Sequence, residues 1–116
     1  MIRGDVVLVR FPHPSGVRGK KRPAVVLQAD SYNQRLRTVV VAEVTKNVSM
    51  ANDPACLYID VTTPEGQATG LLNNSVISCL LLATIDADRV HQVLGRISGA
   101  MQKRLDDGIR SALGVQ

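Results

Sequence analysis

Two residues suited to binding a phosphate group stand where two predicted strands meet their loops. Arg22 lies directly before Pro23 and an apolar segment that runs to residue 28. Thr45 ends a second apolar run that begins at Thr38. A guanidinium is planar and permanently charged and hydrogen-bonds phosphate oxygens in pairs, and a hydroxyl donates one further hydrogen bond. The two side chains together therefore indicate a phosphate-binding site.

The strands that carry these residues can bring them together. Pro23 has no N–H and suits the first residue of a strand, and it forces Arg22 into extended geometry. If the two strands pair antiparallel, the start of the first lies beside the end of the second. Placing Arg22 opposite Thr45 puts the centre of the connection between Asn33 and Gln34. This register is permitted but not unique, and a shift by one residue would turn one set of side chains to the other face.

The rest of the chain predicts further short strands and one helix. Apolar periodicity predicts strands at 6–11, 57–61, 75–82 and 90–97, of which 75–82 is apolar enough to be covered on both faces. Residues 62–69 are expected to form a turn, residues 46–54 a surface loop, and residues 86–89 a short helical turn capped by Asp86.

A C-terminal helix is expected to close the fold. Ser98 is its predicted N-cap and Gly114 its stop. Its apolar stripe recurs every four residues at Met101, Leu105, Ile109 and Leu113. Many short strands and one terminal helix predict a mainly β protein, either a small, strongly curved β-barrel or a sheet closed by a helix.

Length and composition favour one soluble domain over residues 1–116. A chain of 116 residues with 45% hydrophobic content can bury a modest core. No apolar stretch approaches the roughly 18 residues of a membrane span, and the first residues lack a signal-peptide pattern. We therefore expect a cytoplasmic protein that does not contact a membrane.

The cysteines and histidines do not predict a metal site. Cys56 and Cys79 form no CxxC motif, and the two histidines are far apart in the sequence. Buried free thiols are the better interpretation of both cysteines. We expect no metal and no other cofactor.

Positive charge is concentrated beside the first site strand. The net charge is +4, and Arg18, Lys20, Lys21 and Arg22 are clustered. Such a cluster favours an anionic partner, although a solvated charged loop is an equally common origin. His13, in the loop before the cluster, is either an exposed loop histidine or a group that contacts nucleic acid or transfers a proton.

Seven short segments occur in an order known from one protein family. They are RGDVV at 3–7, KRPAVV at 21–26, VAEVT at 41–45, TGL at 69–71, SVI at 75–77, TID at 84–86 and LGRIS at 94–98. Each segment alone is weak, but the ordered set covers nearly the whole chain. In this set the chain resembles the MazF/PemK (Kid-like) toxins of type II toxin–antitoxin systems, which are sequence-specific endoribonucleases.

The resemblance implies an SH3-like small β-barrel of the CcdB/PemK type with a C-terminal helix, acting as a homodimer. It implies metal-independent cleavage of single-stranded RNA to 2′,3′-cyclic phosphate and 5′-OH ends, and neutralisation by a small acidic antitoxin. The family's catalytic arginine falls on Arg22 and its catalytic threonine on Thr45. The residues then expected to contact RNA are His13, Arg18, Lys20, Lys21 and Lys46.

One segment departs from the family pattern. Between SVI and TID many relatives carry an acidic residue beside a glutamine, whereas residues 78–83 here read SCLLLA and hold no carboxylate to act as a general base. A second hypothesis is therefore a non-catalytic RNA-binding or antitoxin-binding module of the same fold. A third, a gyrase-poisoning toxin like CcdB, ranks last, because that activity resembles one carried by a tryptophan-containing tail and this chain has no tryptophan.

The choice of RNA bases is not evident from the sequence. Phe11, Tyr32 and Tyr58 are the only aromatic residues of the phenylalanine, tryptophan and tyrosine types, so stacking on bases is limited. Base selection is then expected to rest on hydrogen bonds from the loops at 12–21 and 46–54.

Overall fold

The computed structural model describes residues 1–11 and 20–116. The strands are β1 (Asp5–Arg10), β2 (Lys21–Val26), β3 (Thr38–Thr45), β4 (Cys56–Ile59), β5 (Ser75–Asp86) and β6 (Val90–Arg96). The α-helices are α1 (Asp30–Asn33), α2 (Pro64–Ala68) and α3 (Gly99–Leu113), and a short 3-10 helix spans Ala87–Arg89. Within the described ranges, no helix has the length and apolarity to cross a membrane.

The six strands form one antiparallel sheet. Its order is β4-β5-β3-β2-β1-β6, and every neighbouring pair runs antiparallel. This is the predicted mainly β fold with a C-terminal helix. In the part of the chain that the structure describes, strand pairing does not close the sheet into a barrel, because β4 and β6 lie at its two ends.

Helix α3 covers one face of the sheet. The Ser98 hydroxyl accepts a hydrogen bond from the backbone N–H of Met101, and Gly114 ends the helix in the left-handed region at φ 68°, as the sequence predicts. Met101 and Leu105 are buried among residues of β1 to β5, but Leu113 is 58% exposed. The predicted apolar stripe therefore packs at its N-terminal half and leaves the core at its last turn.

A second apolar cluster lies on the other face of the sheet. Alternation along a strand sends successive side chains to opposite faces, so β1 contributes Val6 to the first cluster and Val7 and Val9 to the second. The second cluster comprises Val7, Val9, Ala24, Val26, Val39, Val41 and Ile85, with Phe11, Ala83 and Val90 packed against it. Strands β1 and β3 and the second half of β2 are thus buried on both faces along much of their length.

Strand β5 contains a bulge, and the expectation that 75–82 is covered on both faces is wrong at Leu80 and Leu81. Ala42 of β3 pairs with Leu82, but the next residue, Glu43, pairs with Ser78. The residues between these pairs leave the β3 ladder, and Leu80 and Leu81 are 52% and 44% exposed. A bulge leaves extra residues unpaired and bends the strand, which accounts for apolar side chains in solvent.

The segment 62–69, predicted as a turn, contains helix α2. The Thr63 hydroxyl accepts from the N–H of Gly66, and Pro64 occupies the first helical turn, a position that needs no N–H. The proline and glycine interpreted as turn residues therefore start and accommodate a short helix. Asp86 precedes the 3-10 helix as predicted, but its side chain makes no capping hydrogen bond.

Candidate functional site

The pairing of β2 with β3 has the register that the sequence permits. Ala24 pairs with Glu43 and Val25 with Ala42, and extending this register by two residues brings Arg22 opposite Thr45. The connection contains helix α1, which the sequence did not predict. The Gln28 side chain closes the connection, because it donates to the Thr38 carbonyl at 2.9 Å and accepts from the Val40 N–H at 3.3 Å. These hydrogen bonds fix the register at the connection end of the hairpin.

Arg22 combines a fixed backbone with an exposed side chain. Its backbone pairs with Val9 of β1, and pairing with β3 ends at Ala24, beside Pro23, which has no N–H to donate. The Arg22 side chain is 60% exposed. The guanidinium is thus presented to solvent from a rigid strand, as anion binding requires.

Glu43 lies closest to the Arg22 charge. One carboxylate oxygen of Glu43, Oε1, is 4.0 Å from Nη1 of Arg22, and the Glu43 side chain is 26% exposed. The separation is that of a loose ion pair and is too long for a direct hydrogen bond. The carboxylate and the guanidinium therefore both keep hydrogen-bonding capacity for a ligand.

The Thr45 hydroxyl is oriented by the chain that follows it. Its Oγ1 accepts a hydrogen bond from the backbone N–H of Asn47 at 3.1 Å. A hydroxyl that accepts in this way still has its own hydrogen to donate. Thr45 is half-buried at the end of β3, so this donor has a defined position at the same strand end as Arg22.

Cross-strand pairing extends the site into two rows on one face of the sheet. Thr45 pairs with Val76, and Val76 pairs with Tyr58 of β4. Glu43 pairs with Ser78, which pairs in turn with Cys56. Tyr58 is 39% exposed and is the aromatic residue of the Thr45 row.

Glu43 was not predicted from the sequence to be a site residue, and Tyr58 was not assigned to this face of the sheet. The signal for Glu43 was present, because it stands two residues before Thr45 in one strand and so shares its face. The alternation of Tyr58 with Leu57 and Ile59 predicts that Tyr58 lies on the opposite face of β4 from these two residues. This alternation does not predict which face of β4 lies on the same side of the sheet as Arg22.

The other predicted RNA contacts are distributed around this strand end. Lys20 and Lys46 are exposed, immediately before β2 and after β3. Lys21 lies on the opposite face from Arg22, because successive strand residues alternate, and its Nζ is 3.0 Å from Nε2 of His91. His13 and Arg18 lie outside the described residues.

Both cysteines are free, and Cys79 is unsuited to nucleophilic chemistry. Cys79 is buried beside the backbone of Leu105, and burial, with a smaller contribution from the nearby Cys56, raises the pKa of its thiol to about 11. It is therefore a protonated core residue near neutral pH. Across residues 1–11 and 20–116, no group of three or more His, Cys, Asp or Glu side chains is arranged to hold a metal ion.

The sequence is similar to one family along almost its whole length. A family model described as the PemK-like, MazF-like toxin of type II toxin–antitoxin systems matches residues 2–113. Two curated relatives are the endoribonuclease MazF2 of Mycobacterium bovis and the endoribonuclease MazF6 of Mycobacterium tuberculosis. Each is 29% identical over 113 residues, which cover 96% of this chain and 95% of the relative.

Solved structures share the fold at lower sequence identity. A mycobacterial endoribonuclease in complex with its cognate antitoxin has a TM-score of 0.79 and 17% identity, covering 100% of this chain and 97% of that one. The Mycobacterium tuberculosis toxin MazF-mt6 has a TM-score of 0.79 and 20% identity, with coverages of 97% and 98%. A MazE–MazF structure from Deinococcus radiodurans has a TM-score of 0.76 and 19% identity, with coverages of 100% and 98%.

Proposed function

Because this chain belongs to the PemK-like, MazF-like toxin family of type II toxin–antitoxin systems, we propose that it is a sequence-specific endoribonuclease that cleaves single-stranded messenger RNA. It acts in the cytoplasm as a homodimer and is neutralised by an acidic antitoxin. The similarity to relatives named endoribonucleases and to a toxin solved with its antitoxin supports the proposal. The proposal is carried by the β2–β3 register, which, extended two residues beyond the pair Ala24–Glu43, brings Arg22 opposite Thr45 and beside Glu43.

RNA supplies its own nucleophile for this reaction. The 2′-oxygen attacks the adjacent phosphorus, the bond to the 5′-oxygen breaks, and the products are a 2′,3′-cyclic phosphate and a 5′-hydroxyl. The protein must hold the strand in line for attack, stabilise the charge that develops on the phosphoryl oxygens, and manage two protons. None of these tasks requires a covalent enzyme intermediate.

Arg22 and Thr45 divide the stabilisation of the phosphorane between them. The exposed guanidinium of Arg22 binds two phosphoryl oxygens in a fork, and the Thr45 hydroxyl donates a hydrogen bond to one of them. Arg22 is a poor proton acceptor, because a guanidinium stays protonated in proteins. Its role in this proposal is therefore electrostatic.

A non-catalytic binding module of the same fold is the second candidate. One specific observation favours it: the exposed residues of the β5 bulge are Leu80 and Leu81, and residues 78–83 offer no carboxylate to act as a general base. A module that only binds RNA would protect single-stranded RNA without shortening it. Product analysis of the purified protein separates the two functions.

We predict ribonuclease activity that survives EDTA. A guanidinium and a hydroxyl can stabilise the transition state without a metal ion, so chelation removes nothing that the reaction uses. The measurement is cleavage of a mixed single-stranded RNA pool with and without EDTA, followed by analysis and sequencing of the ends. Fragments should carry 2′,3′-cyclic phosphate and 5′-hydroxyl groups. A strict requirement for added magnesium contradicts the mechanism, and intact RNA favours the binding module.

We predict that the antitoxin docks through the basic residues beside the site. An acidic, initially disordered segment is attracted to Lys20, Lys21 and Arg22 and loses chain entropy on binding. Reversing the charge of Lys20 and Lys21 to Glu should slow association by roughly 10-fold at low salt, and the difference should shrink at high salt.

The measurement uses stopped-flow association of the short acidic protein encoded beside this gene, at two salt concentrations. The matched control reverses Lys103 and Arg104, two exposed basic residues of α3, and should change the rate less. Equal rates for wild type and the Lys20 and Lys21 variant would remove these residues from the docking site.

A further inference from the structure

We propose that Glu43 is the general base that accepts the proton of the attacking 2′-hydroxyl. This assignment rests on the proposed endoribonuclease function and adds a proton acceptor to it. As the 2′-oxygen forms its bond to phosphorus, its proton moves to the Glu43 carboxylate. The bond from phosphorus to the 5′-oxygen breaks, and that oxygen takes a proton from solvent water. The Glu43 carboxylic acid then returns its proton to solvent.

The position of Glu43 is the first argument. It shares a face with Thr45, from which it is separated by one residue along β3, and its direct partner in β2 is Ala24. Residues two apart in a strand are about 7 Å apart along it. A phosphate held by Arg22 and Thr45 therefore lies within reach of the carboxylate, which is already 4.0 Å from the guanidinium.

The availability of the Glu43 carboxylate is the second argument. It is partly exposed, and the guanidinium contact is too long to occupy its lone pairs with a hydrogen bond. A phosphate can draw the Arg22 side chain towards itself while Glu43 stays fixed on its strand. The approach of Arg22 to the phosphate then leaves a carboxylate oxygen facing the adjacent ribose.

The chemistry of its neighbours is the third argument. The Thr45 row, extended through the β2–β3 register, consists of Val9, Arg22, Thr45, Val76 and Tyr58. The neighbouring Glu43 row consists of Val7, Ala24, Glu43, Ser78 and Cys56. The charged and titratable groups in these rows are the guanidinium, the Glu43 carboxylate, the Cys56 thiol and the Tyr58 phenol. Among the residues of these two rows, Glu43 thus provides the carboxylate. His91, the histidine in the part of the chain that the structure describes, contacts Lys21.

The Glu43 assignment also accounts for the departure in β5. The residues 78–83 provide no carboxylate, but the bulge brings Ser78 directly opposite Glu43. A carboxylate on β3 therefore stands directly opposite the β5 segment that lacks one. The acidic group of the site is supplied by β3.

The test compares single-turnover cleavage by wild type, Glu43→Gln and Glu43→Asp on one short RNA across a pH series. General-base catalysis contributes roughly 10²- to 10⁴-fold, so Glu43→Gln should lose rate within that range. It should also lose the acidic limb of the pH profile. Glu43→Asp keeps a carboxylate at a shorter reach and should keep the limb with a reduced rate. Circular dichroism and thermal unfolding check that each variant is folded.

Binding separates a base from a residue that only positions Arg22. The probe is the same oligonucleotide with a 2′-deoxy sugar at the cleaved step, which cannot react. Glu43→Gln should bind it as tightly as wild type, or more tightly. The matched control is Glu65→Gln, because Glu65 makes a similar loose contact with Arg104 at 3.9 Å and glutamine keeps an oxygen that can accept the hydrogen bond of the Ser98 hydroxyl. It should leave both rate and pH profile unchanged.

Each result decides the assignment. A wild-type rate and pH profile in Glu43→Gln overturns Glu43 as the base while the endoribonuclease function stands. Equal losses of binding and rate, with the acidic limb retained, overturn it in favour of positioning Arg22. A wild-type protein that binds but does not cleave any RNA overturns both the function and the assignment.

Discussion

Replacing Arg22 with alanine is expected to lower the single-turnover rate of RNA cleavage by about 10³-fold or more. An arginine that stabilises charge on a transferring phosphoryl group contributes roughly 10³- to 10⁵-fold, and no solvent cation reproduces a guanidinium fixed by its strand. The side chain is 60% exposed, so the variant should fold normally. The measurement is cleavage of an end-labelled RNA at saturating protein, together with thermal unfolding.

Two companion variants make the Arg22 result specific. Arg22→Lys should also lose most of the activity, because an ammonium cannot bind two phosphoryl oxygens in the geometry of a fork. Arg89→Ala removes another exposed arginine, in the 3-10 helix, and should keep the wild-type rate. Wild-type cleavage by folded Arg22→Ala would exclude Arg22 from the active site.

Replacing Thr45 with alanine is expected to lower the same rate by roughly 10²-fold, the lower end of the loss for a single hydrogen-bond donor to a developing oxyanion. The effect should be smaller than that of Arg22→Ala, because a neutral donor stabilises less charge than a guanidinium. Thr45→Ser keeps the hydroxyl that accepts from Asn47 and should retain more activity than Thr45→Ala.

The control for Thr45 is Thr84→Ala, which removes an exposed threonine of β5. It should leave cleavage unchanged. If Thr45→Ser is as impaired as Thr45→Ala, the loss comes from the shape of the strand end and the hydroxyl has no role in the reaction. Rates for all three proteins at one RNA concentration well above saturation make the comparison direct.

The β2–β3 hairpin shows how far a local argument can reach. Two apolar runs of similar length, a proline at the start of one and a polar connection were enough to identify, as one permitted register, the pairing whose extension places Arg22 opposite Thr45. This succeeded because antiparallel strands joined by a short connection have few registers that keep their buried faces together. Helix α1 changes the path of the chain within that connection. The number of residues that join β2 to β3 is unaffected, so the permitted register can still form.

The second half of β5 shows where the same argument fails. A run such as Cys79 to Leu82 indicates a buried strand, but the sequence does not say that the ladder jumps from Leu82 to Ser78. A bulge is a property of two paired strands, and its position depends on how both fit the rest of the sheet. Exposure of Leu80 and Leu81 could therefore not be predicted from their own strand.

The residues of the candidate site likewise differ in whether the sequence alone could predict them. Arg22 and Thr45 were predicted from a motif and a register, and Glu43 was predictable from strand alternation in the same segment. Tyr58 was not, because its place in the Thr45 row depends on the strand order β4-β5-β3, which joins segments distant in the chain. Contacts within one hairpin are determined by neighbouring segments of the sequence, whereas contacts across the sheet depend on the whole strand order.

The bulge in β5 gives the protein a region of mutational freedom next to its site. Leu80 and Leu81 lie between the paired residues Ser78 and Leu82 and are about half exposed. Substitutions at exposed positions outside special features usually change stability by within about 0.5 kcal/mol. Substitutions can therefore diversify the bulge, adding charge or hydrogen-bonding groups beside the candidate site, while the ladder on either side keeps Arg22, Glu43 and Thr45 in place. Substrate preference can in this way change separately from the chemistry of cleavage.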